Sequence, residues 1–136
     1  MPFTSDPRIF VVDDEPVIAS SLGMIFSRQG YEVESFTDPL AALQAVQQRT
    51  PDLVIADVVM PKLSGIELAV VIREAFPSCK VLLFSGQIAI DAMLERARER
   101  GHHFEVMGKP IHPMSMVARV RSELSARGGE AAALMQ

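Results

Sequence analysis

Short apolar runs alternate along the chain with longer stretches of helical periodicity. Arg8-Ile9-Phe10-Val11-Val12, Leu53-Val54-Ile55-Ala56 and Lys80-Val81-Leu82-Leu83-Phe84 are too short for helices and are bounded by polar or proline-containing segments. Such runs read as strands buried on both faces, as parallel sheets require. Tyr31 to Phe36 alternates enough for an outer strand, and Phe104 to Met107 reads as a fifth, closed by Gly108-Lys109-Pro110. Between them, Pro16 sits in the first turn of a helix whose apolar residues recur at Ile18, Leu22 and Ile25 until Gly30 stops it. Thr37-Asp38-Pro39 opens a helix carrying Leu43 and Val46. Ser64-Gly65-Ile66-Glu67 has the spacing of a capping box, with Leu68, Val71, Ile72 and Ala75 behind it and a stop near Pro77. A polar, Arg- and Glu-rich helix carries Ile90, Leu94 and Ala97 as far as Gly101. Pro113 opens the last helix, with Val117, Val120 and Leu124 on one face.

Five strand-helix pairs in strict alternation predict an α/β fold whose parallel sheet is covered by helices on both faces. Right-handed crossovers keep the strand tips on one edge. Asp13 and Asp14, Asp57, Ser85 and Lys109 each follow a different strand, so residues distant in sequence converge on the crevice where open α/β sheets bind ligands.

With 136 residues and 49% hydrophobic content, the chain supports one domain with a proper core. The expected division is an N-terminal extension over 1–7, the domain over 8–125 and a flexible tail over 126–136. A net charge of -4 offers no basic footprint for direct nucleic-acid binding. One cysteine, Cys79, cannot form an internal disulfide, and no apolar run reaches the length of a membrane span; a cytoplasmic protein is expected. The eight methionines are scattered as core filler. His102, His103 and His112 read as a loop pair and a helix-start residue, not as metal ligands, because neighbours in a strand point to opposite faces.

Carboxylates crowded at one point repel each other unless a cation neutralises them. Short carboxylates suit Mg2+, whereas zinc would want His or Cys. One carboxylate can then attack phosphorus to give an aspartyl phosphate, with Lys109 as a second cation and Ser85 as a hydroxyl donor. Added phosphate charge at a strand tip acts as a switch.

Val12-Asp13-Asp14-Glu15-Pro16, Asp57-Val58-Val59-Met60-Pro61-x-x-Ser64-Gly65, Ser85-Gly86 and Lys109-Pro110 together resemble the signature of response-regulator receiver domains of two-component signalling, over about residues 8 to 125. The resemblance implies the flavodoxin-like doubly wound fold with strand order 2-1-3-4-5. It implies that Asp57 is the phosphoacceptor, that Asp14 and Asp57 bind Mg2+ directly with the backbone carbonyl of Val59, and that Asp13 acts largely through water. Ser85 takes the place of the switching hydroxyl, Lys109 that of the phosphate-pairing lysine, and Lys109-Pro110 that of a cis peptide. The donor would be a phosphohistidine on a sensor histidine kinase or a histidine phosphotransfer protein. The protein would then be no enzyme beyond accepting its own phosphoryl group and slowly losing it, acting as a monomer or weak homodimer.

Three positions bear on how far the family pattern carries over, and one of them, Gly108 directly before the lysine, adds backbone freedom where a strand end would usually be stiff. Val106, three before the lysine, stands where receivers usually carry an aromatic residue that moves with the hydroxyl, so signalling is expected to run through the Ser85 loop and the following helix. Val59, two beyond the acceptor, offers nothing to position an attacking water, so a long-lived acyl phosphate is expected. After Leu124 about a dozen residues remain, too few for an output domain; the expectation is a free-standing receiver, with a piece of a longer regulator as the other possibility. Two competing readings stay open: a flavodoxin-like cofactor carrier, against which Asp13-Asp14-Glu15 would repel a phosphate at the first strand tip, and a non-phosphorylated pseudo-receiver that only docks.

Overall fold

The structure, a computed structural model, describes residues 6–86, 90–109 and 111–134, with side chains as far as 125. Five strands and five helices alternate: β1 (Arg8–Val12), α1 (Pro16–Arg28), β2 (Glu32–Phe36), α2 (Pro39–Gln48), β3 (Leu53–Asp57), α3 (Gly65–Ala75), β4 (Lys80–Ser85), α4 (Asp91–Glu99), β5 (Val106–Gly108) and α5 (Pro113–Leu134). All pairings are parallel and the strand order is β2-β1-β3-β4-β5, the flavodoxin-like order.

Alternation along the strands splits the core into two layers. Phe10, Val12, Val54, Ala56 and Leu83 face α2, α3 and α4, where Val46, Leu68 and Ile72 are buried against them. Ile9, Val11, Leu53, Ile55, Leu82 and Phe84 face the opposite side and pack on Phe26 of α1 and Val117 and Val120 of α5. Every residue of β3 is therefore buried, which explains why its sequence shows no polar alternation. Cys79 is buried in the first layer. Among the described residues no helix is long and apolar enough to cross a membrane.

Helix ends follow local chemistry. Asp38 caps α2 by accepting the Leu40 N–H at 3.0 Å. Ser64 and Glu67 make both bonds of the capping box on α3, at 3.1 and 3.0 Å.

Three boundaries differ from the sequence reading. The buried stripe of α1 is Ala19, Gly23 and Phe26, while Ile18, Leu22 and Ile25 are only partly buried. Close packing explains the shift: a Cβ on Gly23 would lie 2.5 Å from Ser35 Oγ, which itself donates to the Ala19 carbonyl at 3.1 Å. The fifth strand covers Val106–Gly108 and excludes Phe104. The Phe104 ring instead lies 4.1 Å from the Arg73 guanidinium, whose Nη1 donates to the His103 carbonyl at 2.8 Å. Finally, α5 continues to Leu134 where a tail had been expected from 126.

Candidate functional site

Register brings the predicted residues to one edge. Val12 pairs with Ala56, so Asp13 and Asp57 leave neighbouring strands side by side. Asp57 pairs with Phe84, and Ser85 with Gly108, which sets Ser85 and Lys109 one and two strands further along the same edge. Carboxylate oxygens of Asp13, Asp14 and Asp57 all lie within 4.8 Å of one another.

Asp13 has no exposed surface, and Asp57 is 6% exposed. The Asp13 Oδ1 accepts the Glu15 N–H at 2.9 Å, but its buried Oδ2 has no hydrogen-bond partner among the described residues. Lys109 Nζ stands 3.6 Å from that oxygen and donates to Asp57 Oδ2 at 3.2 Å. Asp57 Oδ1 accepts the Val59 N–H at 3.3 Å. Burial pushes the Asp13 carboxyl above its usual range, helped by the charges of Asp57 and Asp14 and opposed by the Glu15 N–H and Lys109. For Lys109, burial alone would lower the amine. The hydrogen bond that the amine donates to Asp57 and the charges of Asp57, Asp13 and Glu15 outweigh it and raise the amine above its usual value.

The lysine is positioned by more than its charge partners. Its Nζ lies 4.9 Å from the Phe84 ring centroid, its backbone N–H donates to the Ser85 carbonyl at 2.9 Å, and a Cβ on Gly86 would sit 3.5 Å from its Cδ. Ser85 is buried beside it. Val59 is 43% exposed at the mouth of the site, and Val106 is half-buried against the first core layer. The Lys109-Pro110 peptide lies outside the described residues because Pro110 does.

Two structural residues escaped the sequence reading. Gly65 was singled out for the capping box, yet its larger constraint is proximity: a Cβ there would come 2.2 Å from the Asp57 carbonyl oxygen. Its N–H donates to the Val58 carbonyl at 2.8 Å, so α3 is pinned directly to the backbone beyond the acidic strand tip. Lys62 adopts φ 72° in a tight turn in which Leu63 N–H bonds the Pro61 carbonyl at 2.8 Å. No sequence signal marks this, since a lysine is a poor choice for that region.

The donor set fits a hard divalent cation. It is all oxygen, it contains a buried oxygen without a hydrogen-bond partner, and it lacks the His or Cys that softer metals prefer. Two of the three histidines are engaged elsewhere: His102 Nε2 meets Glu74 at 2.9 Å, and His112 Nδ1 accepts the Met114 N–H at 3.1 Å.

A family model described as the response regulator receiver domain matches residues 9–121. The DNA-binding response regulator MtrA of Mycolicibacterium smegmatis is 34% identical over 132 residues, 97% of this chain and 57% of that protein. The probable transcriptional regulatory protein TcrX of Mycobacterium tuberculosis is 29% identical over 120 residues, covering 88% of this chain and 50% of that protein. This chain thus spans about half the length of these curated relatives. Among solved structures, a CheY-like response regulator receiver domain protein from Methanospirillum hungatei has a TM-score of 0.83 at 24% identity, covering 93% of this chain and 99% of that one, a likeness of fold. Fold, site geometry and the family match agree, and the chain belongs to the response regulator receiver domain family of two-component signalling.

Proposed function

We propose that the domain over residues 8–125 is a phosphorylation-dependent switch, in which Asp57 accepts a phosphoryl group from a phosphohistidine and the altered surface changes partner docking. One observation carries this reading: Lys109 Nζ stands 3.2 Å from Asp57 and 3.6 Å from Asp13, inside a cluster of three carboxylates at adjoining strand tips. In the transfer, an Asp57 carboxylate oxygen forms the new O–P bond while the P–N bond to the donor imidazole breaks. The ring nitrogen keeps the electron pair and takes up a proton. Lys109, held protonated by its two carboxylates, offers its N–H groups and charge to the phosphoryl oxygens. Ser85 supplies a hydroxyl at the next strand tip.

Asp14 and Asp57 would hold a magnesium ion directly, with the Val59 carbonyl as a further ligand and Asp13 acting through water. Bound there, the ion offsets the negative charge of the carboxylates and of the incoming group. The chain modifies only itself and hydrolyses its own acyl phosphate slowly. Its donor is a sensor histidine kinase or a histidine phosphotransfer protein, a reading supported by its response-regulator relatives. Direct contact with nucleic acid is no part of it, given a net charge of -4. A cytoplasmic setting agrees with a single cysteine, Cys79, kept as a buried side chain.

Incubation with acetyl phosphate and magnesium, followed by intact mass measurement, tests the assignment. The parent gains one phosphoryl group, while Asp57→Asn and the chelator-treated parent gain none. Equal incorporation in Asp57→Asn would overturn it.

A further inference from the structure

Up to Phe84 the β4 strand reads as plain core, and nothing in its pattern marks that residue for chemistry. Its side chain is buried in the layer that packs on α1 and α5, yet the ring lies under the Lys109 amine, with Nζ 4.9 Å from the centroid. Two backbone bonds brace the ring against both partners of the site. The Phe84 carbonyl accepts the Val58 N–H at 3.0 Å, one residue beyond Asp57, and the adjoining Ser85 carbonyl accepts the Lys109 N–H at 2.9 Å. The ring is thereby fixed relative to the strand of the acidic group and to the lysine. An apolar hollow of about 400 Å3, walled by Ile18, Leu22, Ile111 and Met116, adjoins both, and the Lys109 side chain is only 25% exposed.

The amine therefore has anchors of two kinds. Asp57 Oδ2 at 3.2 Å and Asp13 Oδ2 at 3.6 Å attract it as charges, and both belong to the carboxylate cluster that fits a divalent cation. A carboxylate oxygen drawn to a metal or bonded to phosphorus is a weaker anchor, because its negative charge is shared or lost. The ring has no such competitor. Its π face attracts an ammonium through the ring quadrupole, most strongly where water is scarce. An ammonium has three N–H groups, so it can rest on that face and still present donors to phosphoryl oxygens.

We propose that Phe84 is a positioning residue for phosphoryl transfer, a cation–π seat that keeps the Lys109 ammonium aimed at position 57 while the carboxylates are engaged by magnesium and the incoming group. This role rests on the reading of Asp57 as the phosphoacceptor and of Lys109 as the cation that meets the phosphoryl oxygens.

Phenylalanines carrying successively more ring fluorines, incorporated at position 84 of the full chain, test this, because they weaken the π face stepwise with little change of shape. Phosphoryl uptake from acetyl phosphate at saturating magnesium is followed by intact mass, beside the urea midpoint of each variant. The uptake rate is expected to fall with each added fluorine, reaching a loss of about fivefold in the most fluorinated chain and in Phe84→Leu. A flat series, or rates that follow the urea midpoint rather than the fluorine number, would leave the ring a packing role alone and overturn the seat. A second readout needs no phosphoryl group. In the unphosphorylated chain the Lys109 ε-methylene protons should be shifted upfield by the ring current, as much with magnesium as without, and the shift should vanish in Phe84→Leu. Unshifted protons, or a shift lost on adding magnesium, would equally overturn it. If the parent gains no phosphoryl group, or Asp57→Asn gains as much, the phosphoacceptor reading fails instead, and the ring-current shift still decides whether Phe84 holds the amine.

Discussion

Replacing Asp13 by Asn removes one negative charge from the fully buried member of the acidic cluster while keeping the oxygen that accepts the Glu15 N–H. At the 4.8 Å that bounds the cluster and an effective dielectric constant of about 20, each carboxylate pair repels by about 3.5 kcal/mol. Lys109 at 3.6 Å returns about 4.6 kcal/mol by the same reckoning, leaving about 2 kcal/mol against an ionised Asp13 facing two like charges. The sign follows from the raised carboxyl. In the unfolded chain Asp13 ionises near its ordinary value of 3.8, whereas the folded chain holds the proton to a higher pH. Its contribution is therefore fully present below 3.8 and is lost as the pH rises through the folded value. At pH near 7 in chelator, Asp13→Asn should be more stable than the parent by about 1–2 kcal/mol, or about 3–8 °C in Tm for a chain of this size. Urea unfolding across the acid range should show that gain shrinking as the pH falls. Magnesium at ten times its Kd should add about 1.4 kcal/mol to the parent and less to the variant, which has lost a carboxylate from the cation's surroundings. A variant less stable than the parent in chelator, or a gain that ignores pH, would refute the reasoning.

Ser64→Ala removes the Oγ that accepts the Glu67 N–H, leaves the bond from the residue-64 backbone N–H to Glu67 Oε1, and should cost about 1 kcal/mol in urea unfolding; no loss would mean that the Oγ bond holds nothing together. Val59→Asn places a group able to position water beside the acceptor, so its acyl phosphate should hydrolyse faster than that of the parent when followed by mass; an equal or slower rate contradicts the lifetime argument. With Val106 in place of an aromatic residue, a phosphate mimic should shift the amides of Gly86 and of Asp91–Glu99, and unmoved signals there would remove α4 from the signalling route.

The site was legible because its chemistry sits where the pattern changes: an apolar run ends, and Asp13, Asp57, Ser85 or Lys109 follows. Once the alternation of strands and helices fixes a parallel sheet, convergence of those tips is a consequence of handedness and needs no contact information. What stayed hidden depends on close approach, which apolar periodicity does not report. The inner stripe of α1 runs through Ala19 and Gly23, whose smallness is the point of contact, so the larger Ile18 and Leu22 misdirect the reading. Gly65 likewise reads as a helix start until the Asp57 carbonyl is found where its Cβ would stand. Phe104 reads as strand by its ring alone, but the Arg73 guanidinium against that ring holds it outside β5.

Borohydride reduction followed by peptide mapping probes the phosphoacceptor most directly, because reduction of an acyl phosphate converts the modified aspartate to homoserine and marks its position. After treatment with acetyl phosphate and magnesium, homoserine should appear at position 57, and it should be absent from Asp57→Asn or when magnesium is chelated. Homoserine at 13 or 14, or phosphate found on Ser85 instead, would contradict the assignment of Asp57 as the group that the cluster and Lys109 exist to serve.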